Sequence, residues 1–555
     1  MGSFATRARF GAVAAFAVVA LAAAGCGSSS SSSGGTSGGG TISTNANVNN
    51  GGTFNWPLYA EPVSIEPLEG QESEGVSVEK NIFEGLVDYN PQTLATVPDI
   101  AKSWSHNSDN TVFTFQLRNN AVFSNGEKVT ADTFVKDWGI ACAKFTGSVV
   151  AYILEPIKGY DACTTSNNAV LSGVQATGPY TLQVTLSSPF SDFVETLGHP
   201  VTWAFPPELA DTKAKQANFE KHPVGSGPFN FVSWTPNKQI IIKKSTTYTG
   251  PFKPHLDEVN FSIYPDGDEN GPFLAFKAGK MDYAMIPSGQ VKATEADPKL
   301  GKDVRTGPQL ALYYYGFNLN TNSIIAKSLK LRQALNYATN SAAVVNNINE
   351  GIGKVADGLV PDGMPCYEPN QSPYHYDPAK AKQLLAQVGT VPQLTLGYNT
   401  DTGHQRIAEA LIQGYKQVGL NVKAENFDWG TYLDKLQKGE FSFWRLGWIA
   451  DYPSIDDFLY PMFYSKEAGN NNLTFYKNPK VDAALLAARA ESDQTKRCQM
   501  YNAIQREILA DAPEIPIYYY GYARVVSPQV QNFAYDAMGV PHFALMGLDT
   551  SKPAT

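Results

Sequence analysis

The stretch FDWGTYLDKLQKGEFSFWRLGWIADYPSIDDF, residues 427–458, contains a helix signal, a turn signal and a strand signal in direct succession. Residues 431–438 have the composition of a short helix, and Gly439 stands where a residue with left-handed backbone would end it. Residues 441–448 are rich in aromatic side chains and lie between Gly439 and Pro453, which predicts a β-strand. A helix followed at once by a strand is typical of an α/β fold.

The predicted strand places opposite charges at the two ends of one line. Period-two alternation, if the chain stays extended, puts four residues on one side: Arg445, Gly447, Ile449 and Asp451. At about 3.3 Å per residue, the Cα atoms of Arg445 and Asp451 lie roughly 20 Å apart, and an extended peptide of three to five residues spans about 10 to 18 Å. Gly447 would let a ligand backbone come close. This row of four residues would fit a short zwitterionic ligand, with one charged end at Arg445 and the other at Asp451. The alternative is an ordinary buried strand with a surface ion pair.

Length and composition favour a large globular binding protein. The 555 residues exceed what one hydrophobic core normally supports, so two or three domains are expected. The formal net charge of −9 argues against nucleic acid as a partner. Enzyme motifs are absent from the sequence: Ser226 lacks the glycine two residues before it that a nucleophile elbow requires, and HExxH, Walker and GxGxxG motifs do not occur. A non-enzyme is therefore predicted, with a secreted hydrolase as the rival class.

The first 26 residues are predicted to be a targeting segment. Arg7 and Arg9 form a positive region, and residues 10–24 form an apolar segment too short to span a membrane comfortably. The ending LAAAGC resembles a bacterial lipoprotein signal, in which Cys26 is lipidated and becomes the mature N-terminus; a plain secretory signal is the alternative. Residues 27–52 are mostly Ser, Gly, Asn and Thr, which predicts a flexible tether. We expect an exported protein, lipid-anchored on the extracytoplasmic face of the cell membrane.

Helix boundaries and strands elsewhere support an α/β class. Pro378 is predicted to open a helix that closes at Gly389, and Pro479 is predicted to open another. Residues 238–243 and 394–398 are predicted strands between such helices. Alternation of the two element types indicates an α/β protein.

Residues 100–138 carry the most specific pattern. Asp109 and Asn110 predict a turn, residues 112–117 an alternating strand, and Thr130 the cap of a helix. Upstream, residues 76–87 have helical spacing of their apolar side chains. The segment resembles the signature of the family 5 extracytoplasmic solute-binding proteins of ABC importers, and the resemblance covers nearly everything after the tether. The landmarks are Ala101, Trp104, Asp109, Phe113, Phe115, Leu117, Arg118, Phe123, Gly126, Thr130, Ala131, Asp132 and Trp138.

The resemblance implies a two-lobed, clamshell-like type II periplasmic-binding-protein fold with an extra inserted domain. In this family the first domain is built from three separate segments, a second is inserted within it, and a third forms the opposite lobe. The implied boundaries are 53–83, 208–313 and 521–555 for domain I, 84–207 for domain II and 314–520 for domain III.

Four cysteines follow the targeting segment: Cys142, Cys163, Cys366 and Cys498. An even number in an oxidising compartment predicts two disulfides, and four cysteines allow three connectivities. Their spacing is not typical of zinc, so no metal and no cofactor is predicted. With the implied domains, our hypothesis pairs Cys142 with Cys163 inside domain II, and Cys366 with Cys498 inside domain III.

Within the family, the resemblance is strongest to the oligopeptide receptors and lies in residues 427–458. GWIADY, residues 447–452, matches their Gly-Trp-x-Ala-Asp-Tyr motif, whose Asp binds the peptide α-amino group. Trp429 matches a cleft tryptophan, Arg445 an arginine for a peptide carboxylate, and His404 a loop histidine that serves longer peptides. Packing is the alternative for Trp429, and a solvated loop residue for His404. The candidate ligand-binding residues are Asp451, Arg445, Gly447, Ile449, Trp429, His404, Trp448 and Tyr452.

The resemblance also implies the function and the partners. We expect a substrate-binding lipoprotein that captures short oligopeptides by lobe closure and delivers them to a permease with its ATPase. The expected partners are a short peptide, the permease and ATPase subunits, and the membrane through Cys26, with a monomeric protein and no nucleic acid. The same importer role for a metal complex, an oligosaccharide or an opine-like compound is the alternative.

Overall fold

The computed structural model describes residues 48–70, 72–265 and 267–553. The predicted signal peptide with Cys26, and the predicted tether up to residue 47, lie outside the described residues. The strands are β1 Thr53–Leu58, β2 Val87–Tyr89, β3 Thr96–Pro98, β4 Ala101–His106, β5 Val112–Leu117, β6 Val174–Gly178, β7 Thr181–Thr185, β8 Phe229–Thr235, β9 Gln239–Lys244, β10 Glu258–Ile263, β11 Tyr283–Met285, β12 Val304–Phe317, β13 Lys354–Val355, β14 Leu394–Asn399, β15 Val422–Phe427, β16 Phe443–Ile449, β17 Glu514–Val526, β18 Val530–Gln531 and β19 Gly547–Leu548.

The helices of the described ranges complete an α/β architecture. They are α1 Ser73–Ile82, α2 Ala131–Cys142, α3 Tyr160–Thr164, α4 Phe193–Thr196, α5 Lys213–Phe219, α6 Asn270–Lys277, α7 Val291–Glu295, α8 Ile324–Lys327, α9 Leu329–Ala338, α10 Ser341–Ala343, α11 Pro378–Val388, α12 Thr402–Gln417, α13 Trp429–Gln437, α14 Asp456–Phe463, α15 Pro479–Ala490 and α16 Gln494–Asp511. Among the residues that the structure describes, none of these helices is both long and apolar enough to cross a membrane.

Three larger sheets organise the chain. One has the order β1-β10-β9-β8, with β1 parallel to β10. A second, antiparallel sheet has the order β4-β5-β7-β6, and all its strands lie within residues 84–207, the segment predicted to be the inserted domain. The third has the order β11-β17-β12-β16-β14-β15, with β13 also paired to β17. The exact domain boundaries stay a prediction.

Two long paired strands run across the predicted boundary between domains I and III. β12 and β17 pair antiparallel, from Val304 opposite Val525 to Gly316 opposite Glu514. Their register shifts between Pro308 and Leu312. The shift in register disrupts the ladder of backbone hydrogen bonds locally.

The seven-stranded sheet is buried on both faces. On one face, Tyr315, Phe317 and Phe443 pack against apolar side chains of α9 and α12. On the other, Tyr314 and Trp444 belong to the core that also contains side chains of α15 and α16. A sheet covered by helices on both sides holds its central strand β16 in a fixed position, which matters for the site described below.

Most local sequence signals are confirmed. α11 begins at Pro378 and is followed by Gly389 with φ +85°, and α15 begins at Pro479. The short helix predicted over residues 431–438 is α13, capped by the Asp428 side chain, which accepts from the Thr431 amide at 3.0 Å. Gly439, with φ +67°, has the predicted left-handed backbone.

Two predicted boundaries are wrong. The helix expected over residues 76–87 is α1, which ends at Ile82 because Phe83 is extended, with φ −113° and ψ 162°. Beyond it, a Cβ at Gly85 would lie 2.7 Å from Trp203 Cδ1, so tertiary packing shapes this segment. The strand expected over residues 441–448 begins at Phe443, because the Glu440 amide still closes the preceding turn on the Lys435 carbonyl.

The structure contains two disulfides. Cys142 is bonded to Cys163, with Cα atoms 5.8 Å apart, and Cys366 to Cys498, with Cα atoms 5.1 Å apart. The first bond joins α2 to α3 inside residues 84–207, and the second stays inside residues 314–520. Neither bond joins one of these regions to the other, so neither restrains their relative motion.

Candidate ligand site

β16 carries the first group of predicted site residues. It lies between β12 and β14, and it ends at Ile449, two residues before Asp451, although the Ala450 amide still donates to the Leu310 carbonyl at 2.9 Å. The extended backbone predicted for residues 445–451 therefore ends at Ile449. Arg445 and Gly447 both face Tyr520, since Arg445 Nη2 donates to its hydroxyl at 2.8 Å and a Cβ at Gly447 would lie 2.7 Å from it.

One edge of β16 is open beside these residues. β14 pairs with β16 only at Phe443 and Trp444, whereas β12 pairs along the whole strand. Arg445 directs its backbone amide and carbonyl away from β12, where both bond to the Tyr432 hydroxyl. Alternation then points the backbone groups of Gly447 and Ile449 at the same open edge. β14 gives neither residue a pairing partner at this edge.

The guanidinium of Arg445 is buried among aromatic rings. Arg445 is 5% exposed, its Nη1 donates to Asn399 Oδ1 at 2.9 Å, and its Cζ lies 4.3 Å from the centroid of the Tyr313 ring. Its Nε is buried with no hydrogen-bond partner, and no carboxylate of the described residues forms an ion pair with it. Burial acts to lower the pKa of Arg445, but the hydroxyls of Tyr520 and Tyr313 raise it overall, so the group stays charged.

His404 lies beside this cation at the start of α12. Its Nδ1 is 3.4 Å from the Tyr313 hydroxyl, and its backbone amide donates to Asp401 Oδ1 at 2.9 Å. Burial, and the charge of Arg445, lower the pKa of His404 to about 2. The imidazole is therefore neutral and adds a hydrogen-bonding group, but no charge, to this end of the site.

Asp451 defines the other end of the site. Its Oδ2 accepts a hydrogen bond from the hydroxyl of Tyr152, which belongs to the 3₁₀ turn Ala151–Leu154. This bond joins the segment 84–207 to the segment 314–520. Burial raises the pKa of Asp451 to about 6, against the lowering effect of the Tyr152 hydrogen bond. Asp451 is thus an anion at neutral pH that no basic side chain in the described ranges neutralises.

Asp457 holds the backbone around Asp451. Its Oδ2 accepts from Trp448 Nε1 at 3.1 Å and from the Asp451 amide at 3.0 Å. Its Oδ1 is buried without a hydrogen-bond partner. Burial, and then the charge of Asp451, raise the pKa of Asp457 well above its ordinary value. Trp448 therefore acts here through Asp457, as a residue that positions Asp451.

The remaining predicted residues divide into buried and exposed ones. Tyr452 is buried, and its hydroxyl donates to Asp456 Oδ2 at 2.9 Å, so it belongs to the packing beneath the site. Trp429 and Ile449 are 51% and 42% exposed. The structure thus brings Arg445, Gly447 and His404 together at one end, and Asp451, Trp448 and Tyr452 at the other.

Sequence reasoning missed several side chains that shape the site. Tyr152 touches Asp451, whereas Asn399, Tyr313 and Tyr520 hold Arg445. The tyrosine runs at 313–315 and 518–520 gave a signal for the last two, since alternate residues of paired strands share a face. Nothing in the sequence around Tyr152 marks it.

The two lobes are in contact in this structure. Arg497 Nη2 lies 2.8 Å from Asp192 Oδ1, and Ser454 Oγ donates to Asp192 Oδ2 at 2.8 Å. The Cζ atom of Arg489 lies 4.4 Å from the centroid of the Phe190 ring. These contacts, with the Tyr152–Asp451 bond, close the space between residues 84–207 and residues 314–520. Within the described ranges, no group of three or more His, Cys, Asp or Glu side chains is arranged to hold a metal ion.

The chain is similar in sequence to binding proteins of known name. It is 29% identical over 484 residues to the oligopeptide-binding protein OppA of Bacillus subtilis, covering 84% of this chain and 87% of that protein. It is 26% identical over 524 residues to heme-binding protein A of Haemophilus influenzae, covering 90% of this chain and 92% of that protein.

Solved structures show the same fold. The Escherichia coli murein tripeptide binding protein MppA superimposes with a TM-score of 0.80 at 27% identity, covering 90% of this chain and 99% of that one. The unliganded open form of MppA superimposes with a TM-score of 0.70, covering 91% and 99%. The lower score against the open form agrees with the lobe contacts described above.

The two-lobed α/β fold expected from the sequence is confirmed by these structures. A family model described as bacterial extracellular solute-binding proteins, family 5 Middle, matches residues 95–470. The match covers more than half of the chain and includes both ends of the candidate site, and the chain therefore belongs to family 5 of the bacterial extracellular solute-binding proteins.

Proposed function

We propose that the protein is the extracytoplasmic substrate-binding component of an ABC importer, which captures short peptides with free termini and passes them to a permease. The observation that carries the proposal is the pair of opposite charges at the two ends of the site, with Arg445 buried and Asp451 partly buried. Within the described residues, no acidic side chain forms an ion pair with Arg445, and the Asp451 carboxylate has the Tyr152 hydroxyl as its side-chain partner. A zwitterion of matching length supplies both counter-ions at once.

Charge neutralisation gives such a ligand its binding energy and its register. A buried ion without a partner is costly, so a peptide ammonium at Asp451 and a carboxylate at Arg445 would each relieve that cost. Both would form charge-assisted hydrogen bonds, which are stronger than neutral ones. His404, close to Arg445, offers a further neutral hydrogen-bonding group to the same carboxylate.

The open edge of β16 supports a peptide over other solutes. An extended peptide can pair with the free backbone groups of Gly447 and Ile449 as an added strand. Such pairing contacts only the peptide backbone, so it does not depend on the identity of the side chains. A Cβ at Gly447 would lie 2.7 Å from the Tyr520 hydroxyl, so the glycine makes room for the tyrosine that holds Arg445. OppA and MppA are named as peptide-binding proteins, which agrees with this proposal.

The alternative is the same importer role for a non-peptide solute. Heme-binding protein A shows that relatives of similar coverage carry other ligands. A heme, a metal complex or a sugar has no α-amino group for Asp451 and no backbone for the edge of β16. The affinity for peptides should therefore depend on Asp451, whereas the affinity for such solutes should not.

The first prediction concerns Asp451. Asp451→Asn should weaken the binding of free-amine tripeptides by about 30-fold to several thousand-fold, because the ammonium loses its buried counter-ion. N-acetylated tripeptides should bind the parent protein poorly. Isothermal titration calorimetry measures both effects, and far-UV circular dichroism checks the fold.

Asp434→Asn is the matched control, since Asp434 is 58% exposed and pairs only with Lys438 on the surface of α13. It should bind like the parent. Equal affinity of the parent for free and acetylated peptides, or an Asp451→Asn variant with full affinity, would contradict the peptide assignment.

The second prediction is a pH dependence. The pKa of Asp451 is raised to about 6 in the described structure, and a bound ammonium would lower it, so the complex holds fewer protons than the free protein. Affinity should therefore be constant between about pH 6.5 and 7 and fall up to tenfold per pH unit below about 6. Calorimetry with Ala-Ala-Ala from pH 7 to pH 5 measures this slope. Asp451→Asn should lose it, and an affinity that rises on acidification would refute the assignment.

We also propose that the protein is anchored to the membrane as a lipoprotein through Cys26. The small residues before Cys26 and the Ser- and Gly-rich segment after it support this proposal. A diacylglycerol-type modification gives stable anchoring, whereas a single acyl chain holds weakly. The tether would let the two lobes reach the permease while the N-terminus stays in the membrane.

The third prediction tests the anchor. Cys26→Ser should move the protein from the membrane fraction to the soluble fraction of disrupted cells, because the acceptor of the lipid is lost. Immunoblotting of the two fractions measures the change. Ser28→Ala, a neighbouring substitution that keeps Cys26, should stay with the membranes. A Cys26→Ser protein that remains membrane-bound like the parent would show that the anchor is elsewhere.

A further inference from the structure

We propose that Asp192 and its partners form a latch between the two lobes, which sets how tightly the protein holds every ligand without touching any of them. The latch consists of Asn110 and residues 190–192 in predicted domain II, and of Ser454 and residues 489–497 in predicted domain III. This inference rests on the proposed function, because it assumes that the ligand lies between the lobes. It adds residues that control affinity from outside the ligand site.

Asp192 is the charged centre of the latch. Its Oδ1 lies 2.8 Å from Arg497 Nη2, and its Oδ2 accepts a hydrogen bond from Ser454 Oγ at 2.8 Å. Arg497 belongs to α16, and Ser454 lies just before α14. Asp192 therefore directs both carboxylate oxygens at the opposite lobe. It is 9% exposed, and salt screens an ion pair removed from water in this way less than one on the surface.

The guanidinium of Arg497 is held in place by its own lobe. Its Nη1 donates to the Glu491 carbonyl at 2.8 Å and, at the longer distance of 3.4 Å, to the Ser492 carbonyl. These two bonds do not involve the other lobe. They position the guanidinium for Asp192, so less conformational entropy is lost when the ion pair forms.

Neutral hydrogen bonds accompany the ion pair. The Ser191 amide donates to the Arg489 carbonyl at 2.8 Å, and Ser191 Oγ donates to the Glu491 carbonyl at 2.9 Å. Asn110 Nδ2 donates to Ser191 Oγ and to Ser492 Oγ, both at 2.9 Å. Hydrogen bonds weaken steeply with distance and misalignment, so this set fixes one position of the two lobes relative to each other.

A short segment joins the latch to the anion of the ligand site. Ser454 lies three residues after Asp451. Its amide donates to the Tyr452 carbonyl at 2.9 Å, and its carbonyl accepts from the Asp457 amide at 3.1 Å. Asp457 in turn accepts from the Asp451 amide at 3.0 Å. A closed latch therefore holds the segment that carries Asp451, although Asp192 lies at neither end of the ligand site.

Such a contact acts on affinity through the population of closed protein. The relative MppA has a separate, unliganded open form. A ligand enclosed between two lobes needs them closed, so its apparent dissociation constant is the intrinsic one divided by the closed fraction. Contacts that form only in the closed state change this fraction by the same factor for every ligand. They break when the lobes open, so their loss speeds dissociation.

The test uses two peptides that differ in length and side chains, Ala-Ala-Ala and Ala-Phe-Ala-Ala. Asp192→Asn keeps the size of the side chain and can still bond to Ser454, but it removes the charge that Arg497 pairs with. Calorimetry at pH 7 should show both peptides binding roughly 10- to 100-fold more weakly, and by the same factor, as expected for the loss of a hydrogen bond between charged groups. Stopped-flow fluorescence should show faster dissociation of both.

Asp132→Asn is the matched control, since Asp132 lies on α2 in the same predicted domain, is 61% exposed and forms its ion pair with Lys136 of the same helix. It should bind both peptides like the parent. Arg497→Gln is a second variant of the latch, and it should weaken binding as Asp192→Asn does. The double variant should bind about as weakly as either single one, because the second substitution removes a partner that is already lost.

Far-UV circular dichroism checks that each variant is folded. Full affinity of Asp192→Asn and Arg497→Gln would overturn the inference and leave the proposed function intact. So would a loss confined to one of the two peptides, or single effects that multiply in the double variant. Absence of binding of both peptides to the parent would overturn the proposed function, and this inference with it.

Discussion

The site depends on one constraint, the removal from water of two opposite charges, Arg445 fully and Asp451 in part, that the described residues leave without counter-ions. Arg445 is held by Asn399 and Tyr520 and covered by Tyr313, and Asp451 is held by Tyr152. Removing an ion from water costs several kcal/mol unless its surroundings compensate. The neutral hydrogen bonds reduce this cost without supplying an opposite charge. A ligand that brings an ammonium and a carboxylate completes the compensation, and this links binding to the stability of the closed lobes.

The contacts between the lobes are suited to opening and closing. They include polar and charged pairs, such as Arg497 with Asp192 and Tyr152 with Asp451, which are also typical of transient interfaces. Both disulfides lie away from this contact, inside residues 84–207 and inside residues 314–520. The paired strands β12 and β17, with their shifted register, run across the predicted boundary between domains I and III. Asp451 takes part in both the lobe contact and the proposed ligand contact.

Much of the fold could be predicted from local sequence. The helix starts at Pro378 and Pro479 and the glycine after α13 depend on the backbone of neighbouring residues, so short patterns located them well. The end of α1 was misjudged, because tertiary packing of Gly85 against Trp203 outweighs helical spacing. In the site, the motif around Asp451 was visible. Its partner Tyr152 was not, because it lies 299 residues away and no local pattern encodes that contact.

The central claim is that the two charged ends of the site select a zwitterionic peptide. Native mass spectrometry under competition tests it most directly. The protein is incubated with equimolar free tripeptides, their N-acetylated forms, heme and an oligosaccharide, and the retained ligand is released and fragmented. Free tripeptides should be retained, and acetylated ones should not. Retention of heme or the oligosaccharide in place of the free tripeptides would contradict the claim.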